Sequence, residues 1–541
     1  VKRMKSLCMA LLLVLAAGML AGCGKKYEAL STGMAGEIDV MLWSGSSTYL
    51  EDVGHQNYAE GELKGQNDAA VYAMAKKFNE TYPNIKINVY AKTGDPDSND
   101  TPWAQELENF KAQYGKYPDI YASTDLSGDV ARGMVADLSV FADDPVYQSF
   151  NKSIMNMMNY YGFQAGLPQY MLPWGVYVNK ELAEQNNIDV PPADWNIDEY
   201  TAFVSSADNK TFWGAMDVPM SFINGGNKDI TYSLANYKGE GDHVNLNSDA
   251  VAKLLEYVPK WSKSAVWTQN DVGGVPAEVM DANWWWGFKF FIENAILTND
   301  GDPWMMGDAA NPEEGFANAA KSKDWDIYPR PSTDYVENTV GIVLDPMAIH
   351  NYAMDDGDPA WSDAEKDALK VAYTFASFWV GSNESFQVRA DQTFDDQGTL
   401  KTSLNDSLPL VTGKDFDKQM EIWASVPTHQ RFGDAKKMPG FQKVIEIWEK
   451  GQFWDISDKA YPLKIMQDGT RVEADKEWRF IYQAENVSVL RTDPNWLDEV
   501  KSKLPDWNTN INQRFVEADN QLREGLKSYY GFTDENFKVK K

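Results

Sequence analysis

The stretch Ala75-Lys76-Lys77-Phe78-Asn79-Glu80-Thr81-Tyr82-Pro83-Asn84-Ile85-Lys86-Ile87-Asn88-Val89-Tyr90 decides the fold. Its first half closes a helix that the spacing predicts from Ala69 to Tyr82, because Val71, Met74, Ala75 and Phe78 recur on one face. Pro83-Asn84 stops that helix, and from Ile85 the apolar period changes to two, which predicts a strand through Tyr90. Upstream, Ile38-Asp39-Val40-Met41-Leu42-Trp43 reads as a buried strand ending in the polar turn Ser44-Gly45-Ser46-Ser47. Downstream, a helix from Pro102 to Tyr114 precedes a short strand at Pro118-Asp119-Ile120-Tyr121-Ala122. Strand, helix, strand, helix, strand makes an α/β lobe with a largely parallel sheet. The chain has 541 residues, and single cores stop growing at about 250–300, so at least two lobes are expected.

The N-terminal region reads as an export signal. Lys2, Arg3 and Lys5 precede an uncharged apolar run, Leu7 to Leu20, that is too short to span a bilayer. Leu20-Ala21-Gly22-Cys23 ends it. The expectation is a signal peptide over 1–22, lipidation at Cys23, and a flexible linker over 23–36. The only other cysteine, Cys8, lies in the leader, so no disulfide, cysteine-held metal or catalytic thiol is expected in the mature chain. Loss of the three leader cations takes the net charge from −30 to −33. A surface this acidic repels phosphate backbones and anionic headgroups, which excludes nucleic acid as a partner and favours neutral or cationic ligands.

Aromatic residues are abundant, with 20 Trp, 26 Tyr and 24 Phe. Several tryptophans sit among Gly, Pro, Asn and Asp, where loops are expected: Trp43, Trp103, Trp174, Trp284, Trp285, Trp286 and Trp304. Flat rings with a polar edge suit ligands that have an apolar face and a hydroxyl rim, as sugars do. Three consecutive helical residues are about 100° apart, so Trp284–Trp286 cannot share one buried face. Tyr49 and Tyr170 lie in similar surroundings, and Asp125 could accept paired bonds from adjacent hydroxyls.

The order of short motifs resembles the extracellular solute-binding proteins of ABC importers, family 1, the carbohydrate-binding group that includes maltose-binding protein. Trp43-Ser44-Gly45, the helix and strand quoted above, and Tyr117-Pro118-Asp119-Ile120 with Asp125 are similar to the first lobe of that family. Gly166-Leu167-Pro168, Gly175-Val176-Tyr177-Val178-Asn179-Lys180-Glu181-Leu182, and Pro191 with Trp195 are similar to the second. Trp304-Met305, Asp326-Ile327-Tyr328-Pro329-Arg330-Pro331 and Gly341 continue the order. Val178 in place of a second tyrosine, and Asp194 before Trp195, depart from the family pattern.

The resemblance implies a two-lobe fold (type II), each lobe a mostly parallel sheet flanked by helices, with the ligand cleft between them. Crossings are expected near Leu138–Ala142, Ile327–Pro331 and Leu408–Val411. Lobe 1 would hold 37–140 and 328–410, and lobe 2 would hold 141–327 and 411–541 with C-terminal helices. The implied function is a monomeric, lipid-anchored binding protein on the extracytoplasmic face of the cell membrane. It would capture an oligosaccharide and deliver it to ABC permease subunits by hinge closure. The site residues implied are Trp43, Tyr49, Asp125, Tyr170, Trp174, Trp284, Trp285, Trp286 and Trp304.

Motifs for catalysis are absent. The four histidines, His55, His243, His350 and His429, form no metal or triad pattern, and there is no P-loop or Gly-x-Gly-x-x-Gly. No catalytic residue, cofactor or metal is expected. Asp95, Asp97, Asn99, Thr101 and Glu106 fall at calcium-loop positions, but Asp100 replaces the turn glycine and Pro102 interrupts the loop, so a capped helix start explains them more simply. Two alternatives stay open. One is a glycoside hydrolase, which would need two carboxylates at a set separation, and the other is a binder of peptide or another solute.

Overall fold

The computed structural model describes residues 27–42, 66–91, 103–208, 210–216, 218–219, 221–226, 244–265, 290, 293–300, 320, 322–357, 360–391, 407–426, 429, 431–455, 459–461 and 494–538. Its strands are β1 (Gly36–Leu42), β2 (Ile85–Ala91), β3 (Ile120–Ala122), β4 (Asn159–Tyr160), β5 (Phe163–Gln164), β6 (Leu167–Trp174), β7 (Val176–Val178), β8 (Trp213–Ala215), β9 (Ile296–Asp300), β10 (Asp326–Tyr328), β11 (Val340–Ile349) and β12 (Phe453–Asp455). They form a six-stranded sheet, β12-β11-β3-β1-β2 with β6 also on β11, and a four-stranded sheet, β10-β7-β9-β8; β4 and β5 are a small hairpin.

The first sheet grows from the helix-to-strand stretch Ala75–Tyr90. The helix Gln66–Thr81 buries Val71, Met74, Ala75 and Phe78 and hands the chain to β2, which runs parallel to β1 from Gly36 opposite Ile85 to Leu42 opposite Ala91. Phe78 packs 5.2 Å from Phe375 of the helix Asp363–Gly381, an edge-to-face contact that fixes one helix on the other. Parallel pairing holds for β1–β2, β1–β3 and β11–β12, whereas β11 runs antiparallel to β3 and to β6. The second sheet is more mixed than a mostly parallel reading implies: β7 is antiparallel to both β9 and β10, and β8–β9 is parallel.

Sheet membership also departs from the expected boundaries. β6 pairs along β11 from Leu167 opposite Met347 to Trp174 opposite Gly341, so it belongs to the first sheet, as does β12. The chain then changes sheets across a single residue, Gly175, between β6 and β7. A Cβ there would lie 2.4 Å from Ile327 Cγ2 and 2.9 Å from the Tyr328 carbonyl, so only glycine lets the two crossing segments lie together. The return passes between Tyr328 and Val340. A third link is the helix Pro439–Lys450. Asp326 on β10 accepts from the Gly440 and Phe441 amides at its start (2.8 and 3.1 Å), Trp448 Nε1 donates to the Pro409 carbonyl (2.9 Å), and the chain continues into β12.

The linker expected over 23–36 is folded from Tyr27 onward: Leu30 is 4% exposed and Tyr27 and Met34 pack on the core. The helix Trp496–Tyr530 buries Trp496, Val500, Leu504, Trp507, Ile511, Phe515, Asp519, Leu522 and Leu526 at three- and four-residue spacing. Gly525 sits so close to the helix Leu126–Ala131 that a Cβ would be 2.5 Å from Ala131 Cα. Among the described residues, no helix is long and apolar enough to cross a membrane.

Candidate functional site

Open α/β sheets hold ligands outside the carboxyl ends of their parallel strands. β6 runs in the direction of β3, since both are antiparallel to β11, and it begins where β3 stops, because Leu167 and Ala122 both face Met347. The strand therefore carries Trp174 about 20 Å past that edge, into the seam between the sheets.

Trp174 is half-buried there and forms, with Val343 and Trp454, a small apolar cluster separate from the main core. Backbone pairing with Gly341 sets its position, and a Cβ on Gly341 would meet Trp174 Cβ at 3.0 Å and Arg330 Cζ at 2.9 Å. The Trp174 Nε1 donor is buried with no protein acceptor. Trp454 comes from β12, and the Arg330 guanidinium lies 4.8 Å from its ring centre, a cation–π contact. Arg330 is 2% exposed, with Nε 4.0 Å from Asp300 Oδ1 at the end of β9. Ser221 Oγ donates to Asp300 Oδ2 (2.6 Å). Burial pushes the Asp300 pKa up, while Arg330 and Ser221 pull it back. The seam thus sets two partly exposed tryptophan rings beside a buried Arg–Asp pair, chemistry that would suit an uncharged ring bearing hydroxyls.

Asp125 follows β3 and caps the helix Leu126–Ala131, with Oδ1 accepting from the Gly128 amide (3.3 Å) and Oδ2 3.5 Å from Arg132 Nη1. Its carboxylate remains about one-third exposed (36%) and supports the edge on which β1 and β3 end. Tyr170 has its backbone opposite Asp345 on β11, and its side chain lies outside the described residues. So do Trp43, Tyr49, Trp284, Trp285, Trp286, Trp304 and Cys23. Sequence reasoning did not single out Trp454, Arg330 or Asp300 as site residues. For Trp454 a signal existed, since Gly451-Gln452-Phe453-Trp454-Asp455 has the Gly/Asp-flanked tryptophan used for the other candidates. For Arg330 the run Tyr328-Pro329-Arg330-Pro331 marked only a crossing.

Among the described residues, no group of three His, Cys, Asp or Glu side chains could hold a metal. Glu106 is buried inside the helix Trp103–Tyr114, so the last position of the calcium-like pattern faces the core, while Asp95, Asp97, Asn99 and Thr101 lie outside the described residues. His350 lies 3.0 Å from Asp355 and between the rings of Tyr117 and Tyr352. His429 stacks 4.1 Å from Trp423. Both are packing residues, whereas His55 and His243 lie outside the described residues.

No protein-family model matches the chain, and no curated protein matches its sequence. Solved structures do match its fold. An ABC substrate-binding protein from Listeria monocytogenes in complex with cycloalternan is 17% identical with TM-score 0.51, covering 89% of this chain and 100% of that one. The cyclic alpha-maltosyl-1,6-maltose binding protein from Arthrobacter globiformis is 15% identical with TM-score 0.50, covering 93% and 99%. A family 1 extracellular solute-binding protein from Alicyclobacillus acidocaldarius is 11% identical with TM-score 0.50, covering 92% and 100%. Near-complete coverage of both partners means that the similarity runs through both sheets and the links between them, and the chain has the fold of the extracellular solute-binding proteins.

Proposed function

We propose that this protein captures a neutral oligosaccharide outside the cell, held to the membrane by lipid on Cys23, and delivers it to the permease of an ABC importer. The observation that carries the reading is the aromatic seam at the sheet crossing, where Trp174 and Trp454 flank Val343 beside the Arg330–Asp300 pair. Two proteins that share the fold are described with cycloalternan and with cyclic alpha-maltosyl-1,6-maltose, which makes α-linked glucan oligosaccharides the first ligands to try. Binding rather than hydrolysis is favoured because the carboxylate at the seam, Asp300, is 5% exposed in its side chain and engaged by Arg330 and Ser221, which leaves it poorly placed to act as acid, base or nucleophile. A cleft between lobes closes on ligand by hinge motion, and the crossing residues at Gly175 and between Tyr328 and Val340 are where such a hinge would act.

Titration calorimetry with linear and cyclic α-glucans tests this, with chromatography of the same samples for products. Trp174→Ala should weaken binding by about 1–2 kcal/mol, roughly five- to thirty-fold, because the ring face is lost. Salt should have little effect, since a neutral ligand neutralises no charge. Binding that falls steeply with salt and ignores Trp174 would replace the sugar by a cationic solute. Sugar consumed during titration would restore the hydrolase.

A further inference from the structure

We infer that residues 27–34 clamp the N-terminal tether to one face of the body, so that lipid on Cys23 holds that face, built by Leu138–Phe141 and the helix Asp363–Gly381, at the bilayer surface. The inference rests on the lipid-anchor reading proposed above. The clamp is visible in packing. The Tyr27 ring meets Phe141 and Tyr373 edge-to-face, each at 6.4 Å between centres, and those two rings are themselves stacked at 3.8 Å. Thr374 hydrogen-bonds the Tyr27 phenol, whose pKa is raised by burial and by nearby Asp144. Leu30 is 4% exposed and enters the main core, and a turn closed by the Met34 amide on the Ser31 carbonyl (2.9 Å) leads into β1.

The consequence is one of reach. An extended chain covers at most about 3.6 Å per residue, so from Cys23 a free linker to Gly36 would span up to about 47 Å, whereas the clamp at Tyr27 leaves about 14 Å. Between lipid and clamp the sequence then has Gly24-Lys25-Lys26, whose two cations suit anionic headgroups. The rest of the protein, at net charge −35 once those two lysines are set aside, is repelled by the same surface. A clamp therefore decides which side faces the membrane, where a loose tether would let the body drift away. Val140, 67% exposed beside Phe141, lies on the face so presented.

The test uses lipidated full-length protein in vesicles containing acceptor-labelled lipid. With Cys23 acylated and Cys8 gone with the leader, Val140→Cys takes a donor dye at one place. In a first step, flotation with the vesicles is scored. Protein that does not float sinks the anchor reading and leaves the clamp to the second arm. Among floating protein, energy transfer should be high in the parent. It should fall at least about two-fold when roughly ten Gly/Ser residues are inserted between Lys26 and Tyr27, a change outside the core. Leu30→Asp should lower it likewise. Transfer unchanged by either variant overturns the inference. The second arm uses soluble Cys23→Ser protein. Chymotrypsin should spare Tyr27 in the folded parent and cut there in Leu30→Asp, and rapid cutting in the parent would equally overturn it.

Discussion

Lowering the pH should expose how His429 is held. The ring lies 4.1 Å from Trp423, its Nδ1 is 2.8 Å from the Trp423 carbonyl, and burial pushes its pKa down to about 4 from an ordinary 6.5. The unfolded chain takes up a proton below pH 6.5 that the native state refuses until about pH 4. Stability from this residue is therefore complete above pH 6.5 and is lost progressively as pH falls to 4. At 1.36 kcal/mol per pH unit, a shift of roughly 2.5 units amounts to about 3 kcal/mol. His429→Gln keeps an N–H for the carbonyl but cannot be charged, and it gives up the ring stacking, which costs about 1 kcal/mol at neutral pH. The variant should be the less stable protein at neutral pH and should match or exceed the parent once the parent has lost its share in acid. Urea unfolding followed by tryptophan fluorescence at several pH values between neutral and 4.5 measures the crossing. Parallel curves for the two proteins would refute the reasoning, because no proton would then distinguish folded from unfolded His429.

Asp326 has the opposite sign: burial raises its pKa to about 6 against 3.8, so its contribution is present below 3.8 and fades as pH rises through 6, and Asp326→Asn should gain on the parent over that range in the same unfolding assay. Gly175→Ala should cost about 1–3 kcal/mol by chemical unfolding, since its Cβ would press on Ile327 Cγ2 at 2.4 Å, and a neutral result would show the crossing to be looser than its packing. Saturating sugar should shrink the radius of gyration in small-angle scattering, whereas an unchanged radius at proven saturation would remove hinge closure.

How much of this was legible in the sequence depended on whether local pattern or distant pairing decided the outcome. The helix from Ala69 and the strand from Ile85 needed only apolar period and a Pro-Asn stop, and the structure has them as Gln66–Thr81 and Ile85–Ala91. Trp174 stands out in the sequence because, between Pro173 and Gly175, it reads as a loop residue, whereas the structure makes it the last residue of β6, paired with the distant Gly341. β6 was not assigned to the first sheet, because its place follows from pairing with β11, more than 150 residues away, which no local pattern encodes. Trp454 and Arg330 meet for the same reason, across 124 residues of chain. The tether reads as linker because Lys, Ser, Thr and Gly dominate it, yet Tyr27 and Leu30, two apolar side chains in the right places, were enough to dock it.

On the proposed reading the seam would couple ligand site to hinge, and the Arg330–Asp300 pair is where that coupling can be measured. Arg330 leaves the second sheet just after β10 and stacks on Trp454 of the first sheet, so any rotation about the crossing must change that contact. Asp300 keeps the cation neutralised at 4.0 Å while both are buried. Removing one partner strands a buried charge, so Arg330→Met alone should cost about 3–5 kcal/mol of stability. With Asp300→Asn added, no charge remains to be stranded, and the double variant should recover most of that loss. Its sugar affinity should stay within a few-fold of the parent if Trp174 and Trp454 supply the binding surface, whereas closure in scattering should become easier or harder because the cross-sheet contact is gone. A double variant whose destabilisation equals the sum of the two single ones would mean that the charges do not compensate each other. Abolished sugar binding in a folded double variant would instead place the pair itself against the ligand, and the walls would then orient the sugar without supplying most of its affinity.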